Sequence, residues 1–196
     1  ELGQPYSEEK VTQGIAGQKR LLESNGLYRS RIQPYFEWDT VYQQVHIRFD
    51  VESGKRASYG PPIFEGDLKL SPERLFSASH WRRWIIHTWK PVTQTRTRAG
   101  VEGILNLYQK ENRLEAKVAL DSLDYQPGEN RVIPKLSIDA GPKIEVKTFG
   151  AKVPRKRLQK LVPIYEERAV DHDLLVEGAR NLRNYLANII DSMPSM

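Results

Sequence analysis

The 196-residue chain contains no cysteine and only two methionines. The absence of cysteine excludes a disulfide framework, a thiolate metal site and a cysteine nucleophile. Uninterrupted apolar runs are only a few residues long, so no segment is predicted to cross a bilayer as a helix. The first residues, Glu1-Leu2-Gly3-Gln4-Pro5, lack the basic and apolar regions of a leader, so we expect any targeting signal to be absent from this sequence.

The composition is that of a folded protein with a modest excess of positive charge. Hydrophobic residues make up 39% and charged residues 28% of the chain, which excludes a low-complexity coil. Thirty basic side chains against 25 acidic ones leave a net charge of +5. This excess suits a nucleic acid, an anionic lipid surface or an acidic peptide equally well, so composition alone selects no function.

The sequence repeats itself at an offset of 86 residues. Gly14-Ile15-Ala16-Gly17 aligns with Gly100-Val101-Glu102-Gly103, and further along Gly26 aligns with Asn112. A third, partial copy begins at Val176-Glu177-Gly178. Because the coincidences continue through a helix pattern, a turn and a strand pattern, they predict a repeated structural unit.

Each copy contains a helix followed by a β-hairpin. A stripe of apolar residues at helical spacing ends at a residue that tolerates the left-handed conformation, and the apolar period then changes from 3.6 to 2. The first strands are predicted over Tyr28 to Phe36 and Leu114 to Asp121, and the second strands over Val45 to Val51 and Val132 to Ile138. Pro127-Gly128 is typical of the turn between two such strands.

One full period runs strand, helix, helix, strand, strand. Residues 54–140 contain a complete unit, residues 1–53 only the last helix and hairpin, and residues 141–196 only the opening strand and two helices. A half unit leaves its apolar helix stripe uncovered, so the sequence is expected to be a section of a longer array of units stabilised by their neighbours.

This element order, together with several motifs, resembles the POTRA (polypeptide-transport-associated) domain. The opening motifs Gly54-Lys55-Arg56-Ala57 and Ile63-Phe64-Glu65-Gly66-Asp67, the joint Gly26 to Ile32, and the helix motif Asp173 to Gly178 carry the likeness. In particular it resembles the tandem POTRA arms of outer-membrane β-barrel assembly factors and their surface-antigen relatives. The resemblance implies an α+β fold of tandem β-α-α-β-β units, each a three-stranded mixed sheet covered by two helices on one face.

The resemblance also implies a function. A POTRA arm lies on the periplasmic side of a bacterial outer membrane as part of an outer-membrane protein. It binds unfolded β-barrel precursors by β-strand addition and docks accessory periplasmic proteins or chaperones. In such domains the last strand is central, which leaves the opening strand and the first hairpin strand as the edges.

The candidate client-binding residues follow from that edge. They are Leu114, Ala116, Lys117, Val118 and Leu120, with Tyr28, Arg29, Arg31 and Ile32 as the counterparts in the first copy. A groove between the edge and the first helix, near Arg74, Leu75 and Ala78, would accept client side chains.

The sequence offers no pattern for catalysis, and we expect no enzymatic activity, metal or cofactor. The four histidines, His46, His80, His87 and His172, form no two-histidine helical motif with an acid between them. Asp171-His172-Asp173 precedes an apolar helix pattern and is interpreted as a helix N-cap rather than as a metal cluster.

A second hypothesis is a tandem nucleic-acid-binding module similar to KH domains, in which Gly-x-x-Gly loops clamp the nucleic-acid backbone. The residues between the glycines are Ile15-Ala16 and Val101-Glu102, which are apolar or acidic, whereas phosphate contacts favour Lys or Arg. The simpler interpretation is that the glycines let a helix lie close on the sheet. Nucleic acid is therefore the less favoured partner.

Three tryptophans are interleaved with two arginines between residues 80 and 90. Such a patch suits single-stranded nucleic acid or a lipid headgroup layer, and it allows membrane-surface contact. The alternative is a loop whose tryptophan rings pack into the core while the arginines extend outward. The residues concerned are Trp81, Arg82, Arg83, Trp84 and Trp89.

Overall fold

A computed structural model of the chain describes residues 5–83, 87–148 and 152–191. These residues form a mixed α+β structure, which confirms the predicted fold class. The helices are α1 Glu8–Ser24, α2 Pro72–Ser79, α3 Gln94–Lys110, α4 Arg155–Leu161, α5 Ile164–Glu167 and α6 His172–Asp191. The strands are β1 Arg31–Asp39, β2 Gln44–Glu52, β3 Ser58–Tyr59, β4 Ile63–Asp67, β5 Lys117–Gln126 and β6 Arg131–Asp139.

The first hairpin pairs β1 with β2 in an antiparallel register, in which Arg31 lies opposite Glu52 and Asp39 opposite Gln44. Helix α1 precedes it, and its first turn is capped because the Ser7 side chain accepts a hydrogen bond from the backbone N–H of Lys10. These elements are the helix and two strands that the sequence predicts for residues 1–53.

The larger sheet has β6 at its centre. Strands β3 and β4 lie along one edge of β6, and β5 lies along the other. Strand β3 runs parallel to β6, with Ser58 opposite Arg131, so the sheet is mixed. The opening strand is interrupted at Pro61 and Pro62, because proline has no N–H to donate to the ladder. With α2 and α3 between the opening strand and the hairpin, the predicted order is confirmed.

The chain consists of two compact units. The first contains the described residues of 1–63, 80–100 and 120–135, and its core includes the fully buried Tyr59 and Val92. The second contains those of 64–79, 101–119 and 136–191, and its core includes Leu75, Ile104 and Tyr108. The boundaries that the repeat predicts at residues 54 and 141 stay a prediction.

Two further observations concern the helices. Over the described ranges, none of them is both long and apolar enough to span a membrane. In the C-terminal part, α6 lies close to the end of α4, since a Cβ added at Gly178 would be 2.8 Å from the Val162 side chain.

Candidate functional site

Strand β5 forms an open edge of the larger sheet. It pairs with β6, and no other strand in the described part of the chain lies along its second side. Val118 and Leu120 are half-buried, whereas Lys117 and Ala119 are exposed, which is the alternation of a strand with one covered face. The predicted edge residues Lys117, Val118 and Leu120 therefore lie on a real edge strand.

Leu114 and Ala116 do not belong to this strand, and the prediction that it begins at Leu114 was wrong. Both residues lie in a turn ahead of it, which the bond from Ala116 N–H to the Arg113 carbonyl closes. Leu114 is only 5% exposed and packs in a cluster with Leu158, Val162 and Ile164. Leu114 and Ala116 alternate with exposed residues as in a strand, because this turn also buries every second residue.

The counterpart in the first copy shows the same shift. Arg31 and Ile32 lie in β1, but Tyr28 and Arg29 lie in the turn before it. Tyr28 stacks on Tyr125 with the ring centroids 4.3 Å apart, and Arg29 donates hydrogen bonds to the Tyr125 hydroxyl and the Pro127 carbonyl. Burial raises the pKa of Tyr28 to about 12. These two side chains therefore hold the turn against the second hairpin.

The two turns that correspond in the repeat share one local structure. The carbonyl of Gly26 accepts a hydrogen bond from Ala57 N–H at 2.7 Å, and that of Asn112 accepts one from Ile144 N–H at 2.8 Å. Gly26 and Asn112 end their helices with φ of +80° and +61°. This left-handed backbone is the conformation that glycine and asparagine tolerate.

The predicted groove residues are already engaged. Leu75 is fully buried, so at this position it belongs to the core rather than to an accessible groove wall. Arg74 forms an ion pair with Glu111, and this hydrogen bond lowers the pKa of the Glu111 carboxyl. The carbonyl oxygen of Ala78 faces Gly103. A client side chain would therefore have to displace existing contacts there.

The tryptophan–arginine patch is divided by the fold. Trp81 is 1% exposed, stacks on Tyr59 at 5.1 Å and donates from Nε1 to the Arg96 carbonyl, so it is a core residue. Arg82 lies over the ring of the half-buried Trp89 at 5.7 Å. Arg83 is exposed. Trp84 lies outside the described residues. Because Trp81 is buried, it does not belong to the predicted surface patch.

Both Gly-x-x-Gly pairs lie inside helices, not in loops of the kind that clamp a nucleic-acid backbone. We expected these glycines to let a helix lie close on the sheet. This was wrong, because the groups that lie close to the α3 glycines belong to Trp81 and Ala78. A Cβ at Gly100 would lie 2.2 Å from Trp81 Nε1, and one at Gly103 would lie 2.2 Å from the Ala78 carbonyl oxygen. At Gly14 and Gly17 an added Cβ would meet nothing within 4 Å.

Two further side chains have pKa values that their surroundings shift from the usual ones. Burial raises the pKa of Tyr59, and the hydrogen bond from Lys135 lowers that of the Asp124 carboxyl.

Asp171 caps α6, since its carboxylate accepts a hydrogen bond from Asp173 N–H at 3.1 Å, as predicted. Where side chains are described, no group of three or more His, Asp or Glu is placed to hold a metal ion.

Tyr108 provides a pH-dependent test of the core. Burial raises its pKa from 10.0 to about 12, and its hydroxyl donates to the Leu68 carbonyl at 2.6 Å. Because the folded pKa lies above the unfolded one, this stabilisation is complete below about pH 10 and is lost as the pH rises toward about 12. The difference between the wild type and Tyr108→Phe in absorbance at 295 nm is expected to show one phenol titrating near pH 12. A midpoint near pH 10 would contradict the burial of Tyr108.

Comparisons with known proteins give structural relatives only. No protein-family model and no curated protein sequence matches the chain. The chain is similar to the crystal structure of POTRA domains 3–5 of Haemophilus influenzae BamA, with 15% identity, a TM-score of 0.42, and 93% of this chain and 70% of that chain covered.

Two further solved structures are similar. BamA from Haemophilus ducreyi lacking POTRA domains 1–3 has 18% identity and a TM-score of 0.36, with 70% of this chain and 24% of that chain covered. The N-terminal domain of Omp85 from the thermophilic cyanobacterium Thermosynechococcus elongatus has 12% identity and a TM-score of 0.39, with 93% and 74% covered. POTRA domains are thus named in the first two structures. At these scores the likeness carries no further argument, and the function has to be argued from the geometry of this chain.

Proposed function

We propose that the chain is a periplasmic POTRA-type arm of an outer-membrane protein assembly or translocation factor, and that it binds unfolded β-barrel precursors by β-strand addition at β5. The observation that carries the proposal is the open edge of β5 in a sheet whose central strand is β6. The kind of client, an unfolded β-barrel precursor, and the periplasmic location are those that the POTRA resemblance of the sequence implies.

The open edge supplies the chemistry of binding. An edge strand presents unpaired N–H and C=O groups to any extended chain, and these groups form hydrogen bonds with little regard to the side chains of the partner. Strand β5 has ten residues and is therefore about 33 Å long at roughly 3.3 Å per residue. An edge of this length suits a receptor for many unfolded chains of different sequence.

Strand β1 is the weaker candidate, although it also lies at an edge of its two-stranded sheet. It contains Pro34 near its middle, opposite Phe49 of β2. Proline provides no N–H, and natural sheets use it to block further pairing at an edge. The described part of β5 contains no proline, so we assign the main client edge to β5.

The test is a pair of proline substitutions at neighbouring positions of β5, Val118→Pro and Ala119→Pro. In a regular antiparallel strand, alternate residues direct their N–H groups to the partner strand and to the open side. One variant is therefore expected to keep the stability of the wild type and to lose binding of extended barrel-strand peptides. The other is expected to lose stability because it removes a bond to β6.

Peptide binding measured by fluorescence anisotropy and unfolding measured by circular dichroism distinguish the two variants. Pro34→Val in β1 is the matched control, since it restores a donor at the other edge. If the stable proline variant of β5 binds the peptides as tightly as the wild type, the edge assignment is wrong.

Docking of accessory periplasmic proteins belongs to the same proposal, and the nucleic-acid module is its competitor. The competitor predicts binding of single-stranded RNA that falls steeply with salt, because phosphate contacts release counterions. The helical position of both glycine pairs and the burial of Trp81 favour the polypeptide-binding arm. Salt-dependent RNA binding together with no affinity for extended peptides would reverse this preference.

A further inference from the structure

A polar cleft lies in the second compact unit, between the C-terminal turn of α3 and the segment that contains α4 and α5. Its volume is about 730 Å³, which falls in the range of about 300–1,000 Å³ typical of ligand sites. A smaller cavity of about 390 Å³ shares Asn112, Gln159 and Tyr165 with it. The two cavities therefore adjoin at these three residues, and together they are here called the amide cleft.

Four of the nine residues that line the larger cavity of the amide cleft carry carboxamide side chains. They are Asn106, Gln109, Asn112 and Gln159. A carboxamide both donates and accepts hydrogen bonds, as a peptide group does, so four of them in one cleft match the backbone of an extended polypeptide. The side-chain oxygen of Gln109 is buried and has no hydrogen-bond partner among the described residues, so from this side chain only the amide nitrogen is counted as facing a ligand.

Positive charge surrounds these amides. Lys110, Lys160 and Arg168 line the larger cavity, and Lys143 and Arg155 line the smaller one. The only carboxylates in the two linings are Glu166 and Glu145. Five cations against two carboxylates favour a ligand with several separate negative charges. The two carboxylates in the walls disfavour a single concentrated charge such as a phosphate group.

Contacts within the walls hold the cleft open. The Arg168 guanidinium donates to Asn106 Oδ1, and it keeps further N–H groups for a ligand. The Tyr165 hydroxyl accepts a hydrogen bond from Val146 N–H at 3.4 Å. These contacts connect α3, the extended segment after residue 141 and α5, so the walls are positioned before any ligand arrives.

At the first joint of the repeat, Val92 packs closely on Gly26, since an added Cβ would lie 2.9 Å from both the side chain and the carbonyl oxygen of Val92. The Asn25 side chain also accepts a hydrogen bond from Gln94 N–H. At the second joint the equivalent of Gly26 is Asn112, which lines both cavities. The two joints therefore differ in what lies beside the residue that follows the helix.

We propose that the amide cleft binds an extended, acidic polypeptide segment, with the carboxamides bonding its backbone and the lysine and arginine side chains pairing with its Asp and Glu residues. The site is separate from the edge of β5 and requires no strand addition. It would give the chain a second, charge-selective contact with a protein partner.

The test uses the whole chain and a fluorescein-labelled eight-residue peptide of Glu, Ser and Gly, with its Lys, Ser and Gly counterpart as a charge-reversed control. Saturable anisotropy binding of the acidic peptide alone is expected. Lys160→Ala is expected to weaken this binding about threefold to tenfold, since it removes a charged partner at the cleft. Lys156→Ala, an exposed cation on the same helix that does not line either cavity, is expected to leave it unchanged.

Further variants keep the result independent of folding. Gln159→Met, which removes one amide without changing the charge, is expected to weaken binding with an unchanged circular dichroism spectrum. The β5 proline variant that retains its stability is expected to bind the acidic peptide normally. Equal losses for Lys156→Ala and Lys160→Ala would overturn the proposal, because binding would then follow the general charge of α4. Binding of inorganic phosphate or of phosphatidylglycerol vesicles in place of the peptide would also overturn it.

Discussion

Alanine at Gly103 is expected to destabilise the chain by about 1–3 kcal/mol, whereas alanine at Gly17, its counterpart one repeat earlier, is expected to stabilise it by about 0.5–1 kcal/mol. At Gly103 the new Cβ would lie 2.2 Å from the carbonyl oxygen of Ala78, so the backbone has to move. At Gly17 nothing lies within 4 Å, and alanine gains only the better helix propensity.

Hydrogen exchange resolved by peptide mass spectrometry measures the two effects separately, because α1 and α3 report on their own segments. Gly14→Ala and Gly100→Ala provide a second matched pair, in which the Cβ at residue 100 would meet Trp81 at 2.2 Å and that at residue 14 would meet nothing within 4 Å. Shifts of the same sign and size at both members of a pair would show that the two helices are packed alike, contrary to the structure.

Truncation of Trp81 to alanine is expected to cost about 3–5 kcal/mol, the range for a large aromatic removed from a core. The substitution removes the stack on Tyr59 and leaves the Arg96 carbonyl without its Nε1 donor. Trp38→Ala is the control, because Trp38 is 61% exposed and loses an edge-on contact with Tyr6, so its cost is expected to stay below about 1.5 kcal/mol.

Urea unfolding followed by circular dichroism measures both variants. Trp81→Phe is a milder version that keeps an aromatic ring beside Tyr59 and removes only the indole N–H, so its cost is expected to lie between the other two. A Trp81→Ala variant with the stability of the wild type and weakened binding to anionic vesicles would restore the surface-patch interpretation.

The sequence predicted the element order well up to residue 139 and the element starts less well. Between residues 141 and 191, where the sequence predicted a strand and two helices, the described residues form no strand and contain the helices α4, α5 and α6. Gly26 and Asn112 were identifiable because a left-handed residue after an apolar helix stripe is a local preference of the backbone. The beginning of β5 was placed three residues too early, because Leu114 and Ala116 alternate with polar residues as a strand would. Their burial comes from the turn and from a cluster with Leu158, which no local pattern reports.

The candidate sites were less predictable than the fold. The stack of Tyr28 on Tyr125 joins residues 97 positions apart, and no periodicity in the sequence indicates it. The amide cleft was missed for the same reason, since Gln109 and Gln159 are ordinary polar residues until two distant segments bring them into one wall. Only the excess of lysine and arginine between residues 152 and 160 gave any indication of it.

The sequence by itself determined the order of helices and strands up to residue 139 and the residues Gly26 and Asn112 that follow α1 and α3, because these depend on backbone preferences and apolar spacing among near neighbours. Only the tertiary structure decided that β5 has an open side, that Trp81 is buried and that Gly17 and Gly103 differ. An edge, a buried ring and a close contact are defined by the atoms that distant segments place beside them. Identical local motifs therefore acquire different surroundings.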